Sequence, residues 1–219
     1  FGKKRIFYLH RKQPDDAKPG NIKNWFIKEH DKYKYFFVCD ADSIIPKKAI
    51  LKLLMKAEHP QNADVGIFQT RMRVAHAKTI FSKHQEIGVD ISQSLYTDTK
   101  QRIFGTALSF GHGNLIRTEA FKKICVPRGV LSHDIWDMVL MNRIGYRTMS
   151  CPDVVSYEEV PNNYLEMLKG DKRWIEGNFR SLPLLFQKHI SLGAWFYVFY
   201  GIFFYLAQPI FLGWIFLTL

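Results

Sequence analysis

Two carboxylates one residue apart, Asp40 and Asp42, follow five apolar or aromatic residues, Tyr35-Phe36-Phe37-Val38-Cys39. That run is too short for a helix and rich in strand formers, so it reads as a buried strand. The acids at its carboxyl end are not core filling, because buried charge is costly unless paired or metal-bound. They offer a site for Mg2+ or Mn2+, and such an ion would hold substrate phosphates. The tetrapeptide Asp40-Ala41-Asp42-Ser43 reads equally well as a turn, where Asp and Ser are common. Residues elsewhere in the chain must decide between the two.

Three further segments carry residues suited to chemistry. Phe110-Gly111-His112-Gly113-Asn114 brings two glycines that permit close backbone approach to a ligand, although a plain turn uses the same residues. Leu131-Ser132-His133-Asp134 precedes apolar residues at helical spacing, Ile135, Val139 and Leu140. Asp134 is then either a helix N-terminal carboxylate or a catalytic base. Ser, His and Asp adjacent in sequence are not a hydrolase triad, whose members come from separate elements. Gly170-Asp171-Lys172-Arg173-Trp174 lies on an amphipathic stretch. Arg173 suits phosphate and Trp174 suits stacking, while an Arg-Trp pair also serves as an interfacial anchor.

The elements that must position these residues alternate between strand and helix. A basic, strand-like opening, Lys3 to Leu9, leads through a polar connection to Lys18-Pro19-Gly20-Asn21. Ile22 to Ile27 reads as a helix that Gly20 and Asn21 could cap, with an N-terminus that attracts phosphate. Pro46 opens a helix through Ala57 with Ile50, Leu53, Leu54 and Ala57 on one face. Val65 to Gln69 is a second buried strand, ending in the basic Arg71-Met72-Arg73. Thr79 to Arg102 is long and helical, and its Ile80, Ile87, Ile91 and Leu95 are expected to pack in the core. The alternation predicts an α/β protein with an open, mostly parallel sheet.

The chain has 219 residues and a net charge of +11, with lysines and arginines crowded into its first thirty positions. Such charge suits nucleic acid, an anionic membrane or a phosphorylated substrate. The C-terminus chooses among these, because residues 190–219 contain no charged side chain. About 20 such residues cross a bilayer. Lys188 and His189 precede the run, which places the domain before it in the cytoplasm by the positive-inside rule. A buried core helix is the alternative, and Pro209 either kinks the segment or divides it. Cys39, Cys125 and Cys151 show no metal-type spacing, which favours a reducing compartment. The chain opens on Phe1 without an initiator Met or a signal peptide, as expected for a piece of a longer protein.

Taken in order, these pieces resemble the processive family 2 glycosyltransferases of the cellulose synthase type. That family's series is Lys-x-Gly-Asn, Asp-x-Asp, an acidic residue at a helix start, and Gln-x-x-Arg-Trp before a transmembrane helix. Here it falls on Lys18-Pro19-Gly20-Asn21, Asp40-Ala41-Asp42, Asp134 and Gly170-Asp171-Lys172-Arg173-Trp174. Leu131-Ser132-His133-Asp134, Ser156-Tyr157-Glu158-Glu159-Val160-Pro161 and Asp171 to Asn178 are similar to the branch that builds osmoregulated periplasmic glucans. Gly170 replaces the motif's glutamine, as that branch's own departure implies. The family's first strand and uridine-binding acid should lie upstream of Phe1, so this piece alone is expected to be inactive.

The resemblance implies a GT-A type domain lacking its N-terminal part over residues 1–160. An interfacial segment at 161–189 and a transmembrane segment at 190–219 would follow. It implies inverting, metal-dependent transfer of a hexose from a UDP-sugar, UDP-glucose in that branch, to a glucan acceptor. The site would be the cytoplasmic face of a bacterial inner membrane, with no nucleic acid involved. Asp42 with Asp40 would hold Mg2+ or Mn2+, Asp40 standing nearer the sugar. Arg173 and Lys18 would face the diphosphate, Asp134 would be the base and Trp174 would stack on the acceptor. Gly20, Asn21, Gly111, His112, Gly113, Asn114 and His133 would complete the substrate contacts. Other β-polysaccharide synthases, of the cellulose, chitin or hyaluronan kind, would use the same residues. Two rivals of other classes are a haloacid dehalogenase-like phosphatase and a basic membrane-surface module without chemistry. Ile44 and a lone Asp134 fit the phosphatase poorly.

Overall fold

A computed structural model of the chain describes residues 7–13 and 15–218. The opening strand expected over Lys3 to Leu9 lies outside the described residues at positions 3–6, and Phe7 to Leu9 adopt no regular structure. Four strands form one open sheet: β1 (Tyr35–Val38), β2 (Val65–Val74), β3 (Asn114–Arg117) and β4 (Arg147–Glu158). Their spatial order is β1-β3-β2-β4. β3 runs antiparallel to both β1 and β2, and β4 is parallel to β2. Three strands therefore point one way and β3 alone is reversed.

Alternation along the strands assigns their two faces. Phe36 and Val38 join Ile67, Ile116 and Met141 in one buried cluster, backed by Ile22, Trp25 and Phe26 of helix α1 (Ala17–Glu29). Tyr35, Phe37, Phe68 and Leu115 face the other way, onto helix α2 (Lys47–Glu58). The period of two in strand side chains is what divides neighbouring residues between these layers. On α2 the buried face is Ala49, Leu53 and Ala57, spaced by four residues, with Leu54 beside them. Ile50, expected on that face, is rotated away and exposed.

Two expectations about helices are corrected. Gly20 and Asn21 do not cap the first helix, because α1 already begins at Ala17 and the Gly20 amide donates to Asp16 O at 3.0 Å. Pro19 is tolerated there because first-turn amides have no intrahelical acceptor. The segment Thr79 to Arg102 is three pieces: α3 (Ile80–Ile91), a π-helical turn (Ser92–Asp98) and α4 (Thr99–Phe104). Thr79 caps it, its hydroxyl accepting from the Ser82 amide at 2.9 Å. Its apolar stripe is not core. Ile80, Ile87, Ile91 and Leu95 are 90%, 59%, 47% and 63% exposed, while Ser82, Gln93 and Thr97 are buried. The helix turns its small and polar residues inward, and no described element covers the isoleucines.

The short helix α5 (Thr118–Phe121) follows β3, and α6 (His133–Arg143) buries Ile135, Trp136, Met138 and Val139. Those side chains meet Ala194, Tyr197, Val198 and Ile202 of α8 (Leu192–Thr218), which passes through Pro209 as one helix. α8 is long and apolar enough to cross a membrane, and most of it is uncovered by the rest of the chain. Lys100 of α4 pins its first half, with the ammonium 3.6 Å from the Tyr200 ring centroid and 5.2 Å from that of Phe196. Between them, α7 (Tyr164–Arg180) is capped by Asn163, whose side chain accepts from the Glu166 amide at 3.0 Å.

Candidate active site

The carboxyl ends of β1 and β4 and the loop entering β3 open onto one cleft of about 730 Å3. Lys18, Asp40, Asp42, His112, His133, Asp134, Arg173 and Trp174 all line it. They come from α1, the turn after β1, the β3 loop, the start of α6 and the middle of α7. Gly20, Asn21, Gly111, Gly113 and Asn114 do not line it. Gly20 borders a small, mostly apolar cavity of about 160 Å3 behind α1, and Asn21 is exposed. Asn114 is buried at the head of β3, donating to Ser109 Oγ at 3.0 Å.

Asp40 to Ser43 is a turn, and the turn is what aims the acids at the cleft. The Ser43 amide donates to Asp40 O at 3.2 Å, and the Asp40 amide donates to Ser43 Oγ at 2.9 Å. Ile44 then pairs with Tyr157 through two backbone bonds of 2.8 and 3.0 Å, strapping the turn to the end of β4. Glu158 is thereby brought beside Asp40, and Ser43 Oγ donates to Glu158 Oε1 at 2.8 Å. Asp40 is ion-paired with Lys18 from the first turn of α1. Asp42 is exposed at the turn's tip.

His112 is presented by a tightly held loop. Gly111 and Gly113 flank it with φ of 73° and 61°, a region costly for side chains with a Cβ. A Cβ on Gly111 would lie 3.1 Å from Asp134 Cβ and 3.2 Å from His133 Nε2, so the glycine lets the loop rest on the start of α6. The wholly buried Gln69 of β2 clamps the loop from below. Its Oε1 accepts from the Phe110 amide at 2.8 Å and its Nε2 donates to His112 O at 3.0 Å. His112 Nδ1 abuts Glu158 Oε1. One ligand atom each from Asp40, His112 and Glu158 lie within 4.8 Å of one another, a donor set that fits a divalent cation. Asp42 is not part of that group.

Asp134 sits in the first turn of α6, where free amides favour an anion. His133 points inward instead, its Nδ1 3.0 Å from Asp137 Oδ2 one turn later. Burial alone would lower the His133 pKa, but the Asp137 hydrogen bond and the charges of Asp137 and Asp134 hold it above its ordinary value. Asp137, Glu158 and Gln69 had no role in the sequence reading. Asp137 had a signal, being four residues after His133 on a helix. Glu158 had only its place in the Ser156 to Pro161 motif and Gln69 had none, since only the sheet brings them to the turn and the loop.

α7 closes the cleft's far wall, with Arg173 and Trp174 both exposed to it. Its approach is set by Gly177, where a Cβ would stand 3.1 Å from Ser132 Cβ. Any larger residue there would push Arg173 and Trp174 away from Asp134. The arrangement sets the basic side chains Lys18 and Arg173 and the carboxylates Asp40, Asp42 and Asp134 around one gap, a lining suited to an anionic group beside a neutral one.

Residues 35–219 match the family described as Glycosyl transferase family group 2. The chain is 29% identical over 95% of its length to glucans biosynthesis glucosyltransferase H of Rhodopseudomonas palustris, covering 30% of that protein. It is 31% identical over 84% of its length to the protein of the same name from Pseudomonas putida, covering 23% of it. The chain therefore spans about a third or less of these relatives. Among solved structures it is similar to a mannosyltransferase of Pyrobaculum calidifontis in complex with GDP-Man and Mn2+. That likeness has a TM-score of 0.62 at 16% identity and covers 91% of this chain and 51% of that one. The shared architecture is the GT-A type, an open mixed α/β sheet.

Proposed function

The chain belongs to glycosyl transferase family group 2, and on that premise we propose that it moves glucose from UDP-glucose to a growing β-glucan at the inner membrane. The observation that carries this reading is the convergence of Lys18, Asp40, Asp42, Asp134, Arg173 and Trp174, from four stretches of sequence, on one cleft. The relatives' name supports glucose and a glucan, and the Pyrobaculum enzyme's complex supports a nucleotide-sugar donor with a divalent metal. Family membership sets aside the phosphatase and the basic module without chemistry.

Asp134 takes the proton from the acceptor hydroxyl as that oxygen bonds to the sugar's anomeric carbon. Such a base contributes about 10²–10⁴-fold. With Asp134 as the base and no enzyme residue cast as nucleophile, the reaction is read as one displacement with inversion, giving a β-linkage. Lys18 and Arg173 place positive charge where the departing diphosphate gathers negative charge. Asp40 and its neighbours would hold a divalent cation, Mg2+ or Mn2+, which would supply Lewis-acid neutralisation of the same group. Trp174, about half exposed in the cleft, offers a flat apolar face to the acceptor's terminal sugar. α8 supplies the membrane anchor, with Lys188 and His189 before it keeping the cleft on the cytoplasmic side.

The test is transfer from labelled UDP-sugars by the full-length membrane protein in detergent or bilayer, with linkage analysis of the product. Asp134→Asn should lower turnover by about 10²-fold or more while UDP binding survives. Full activity in Asp134→Asn, or no consumption of any UDP-sugar by the wild type with Mg2+ or Mn2+ supplied, would defeat the proposal.

A further inference from the structure

Behind α1 lies the smaller cavity of about 160 Å3. Its walls are apolar, with Ile22 and Phe26 of α1 on one side and Phe121, Ile124 and Val126 on the other. Exposed Lys23 and Lys122 stand at its rim, and α6 contributes His133 and Asp137. Asp137 is 4% exposed, and its Oδ2 lies 3.0 Å from His133 Nδ1. Its Oδ1 is buried and has no hydrogen-bond partner among the described residues. A buried carboxylate oxygen without a donor is costly, and the transfer chemistry gives this oxygen no role.

Water is a poor occupant here. A buried water makes two to four hydrogen bonds, and the apolar walls offer it none. An apolar cavity of about 150 Å3 stays dry and takes up benzene, so the volume behind α1 suits one ring or a compact branched chain. Charge selects the head group of such a molecule. Asp137 already faces the His133 imidazole, the rim carries two lysines, and the charge of Lys18 also reaches His133. An ammonium would enter against these cations and lose its hydration. A hydroxyl donates one hydrogen bond to Oδ1 and brings no charge.

We propose that this cavity is a second binding site, for a small uncharged apolar molecule carrying one hydroxyl group, a phenol or a compact alcohol. Its hydroxyl donates to Asp137 Oδ1, and its hydrocarbon part fills the space between α1 and Phe121. His133 lines both this cavity and the cleft. α1 likewise turns Lys18 to the cleft and Ile22 and Phe26 to the cavity. An occupant therefore touches the supports of the substrate-facing groups and none of the substrate's own space.

The test is fluorine NMR of the full-length protein in detergent, titrated with para-fluorophenol, para-fluorotoluene and para-fluorobenzylamine. Para-fluorophenol should bind about tenfold or more tightly than para-fluorotoluene, the ratio expected for one hydrogen bond to a charged acceptor. That comparison needs no variant. Val126→Phe, which fills the cavity from its wall, should abolish the para-fluorophenol binding that exceeds uptake by detergent. Equal affinity for the phenol and the toluene, or undiminished binding in Val126→Phe, would overturn the site. Tighter binding of the benzylamine than of the phenol would overturn the uncharged class.

Discussion

Helices α2 and α3 look alike as sequences and live in opposite surroundings. Both are twelve residues long, and both carry aliphatic side chains at helical spacing. α2 lays Ala49, Leu53 and Ala57 on the sheet, where Phe68, Leu115 and Val154 cover them. α3 turns Ser82 inward and leaves Ile80, Ile87 and Ile91 outside. An apolar stripe states which face should leave water, and it is silent about what will cover that face. The two helices differ because α2 meets a sheet whose own apolar residues alternate toward it. α3 lies beside the cleft, where the sheet-side positions are polar.

Four measurements break or sharpen this contrast. Leu53→Ala should have the largest effect, lowering unfolding stability by about 2–5 kcal/mol, because Leu53 has no exposed surface. A loss below about 1 kcal/mol in denaturant titration would mean that α2 is no better covered than α3. Next is Lys100→Met, on the continuation of α3. Losing the ammonium from among the aromatic rings should weaken the α4–α8 junction by about 0.5–2 kcal/mol, read as earlier protease cleavage ahead of α8.

A smaller effect should appear with pH, where the closed core meets the cleft. His133 is held above its ordinary pKa in the folded state, so its proton favours folding. That contribution is complete below the unfolded value of about 6.5 and is lost as pH rises through the raised folded value. The melting temperature should therefore decline as pH rises from about 6.5 through that raised value, and Asp137→Asn should flatten the decline. An unchanged pH profile in that variant would separate His133 from Asp137. The smallest effect is expected for Ile87→Ser combined with Ile91→Ser, within about 0.5 kcal/mol in detergent. A loss as large as that of Leu53→Ala would show that a further part of the whole protein covers α3.

Several elements were legible in the residues alone. β1, α2 after Pro46 and the apolar C-terminal segment each carry a local signal: a strand-forming run, a proline start, and a long stretch without charge. The acidic pair after β1 was legible as chemistry or as a turn, and it is a turn facing the cleft. The start of α1 was missed because Gly20 and Asn21 look like caps, although Ala17 to Pro19 already form the first turn. The isoleucines of α3 were misplaced because periodicity carries no information about neighbours. Strand β2 runs on through Arg71 and Arg73 to Val74 because it stays paired with β4 as far as Glu158, and Arg71 finds Asp98 at the end of the π-helical turn.

What the sequence determined by itself is the inventory and its order: paired acids after a strand, an acid at a helix start, Arg-Trp on an amphipathic helix, and an apolar segment behind them. Those signals are local, written in spacings of one to four residues, and need no partner to be read. Only the tertiary structure decided that Glu158 and His112 join Asp40, that Asp42 stays outside their group, and that Asp137 backs His133 from within. Those contacts span from four to more than a hundred residues. They depend on strand order and on the one reversed strand, β3, which carries the His112 loop to the carboxyl ends of its neighbours. Pairing across a sheet is a property of the assembled chain, and no stretch of sequence encodes it alone.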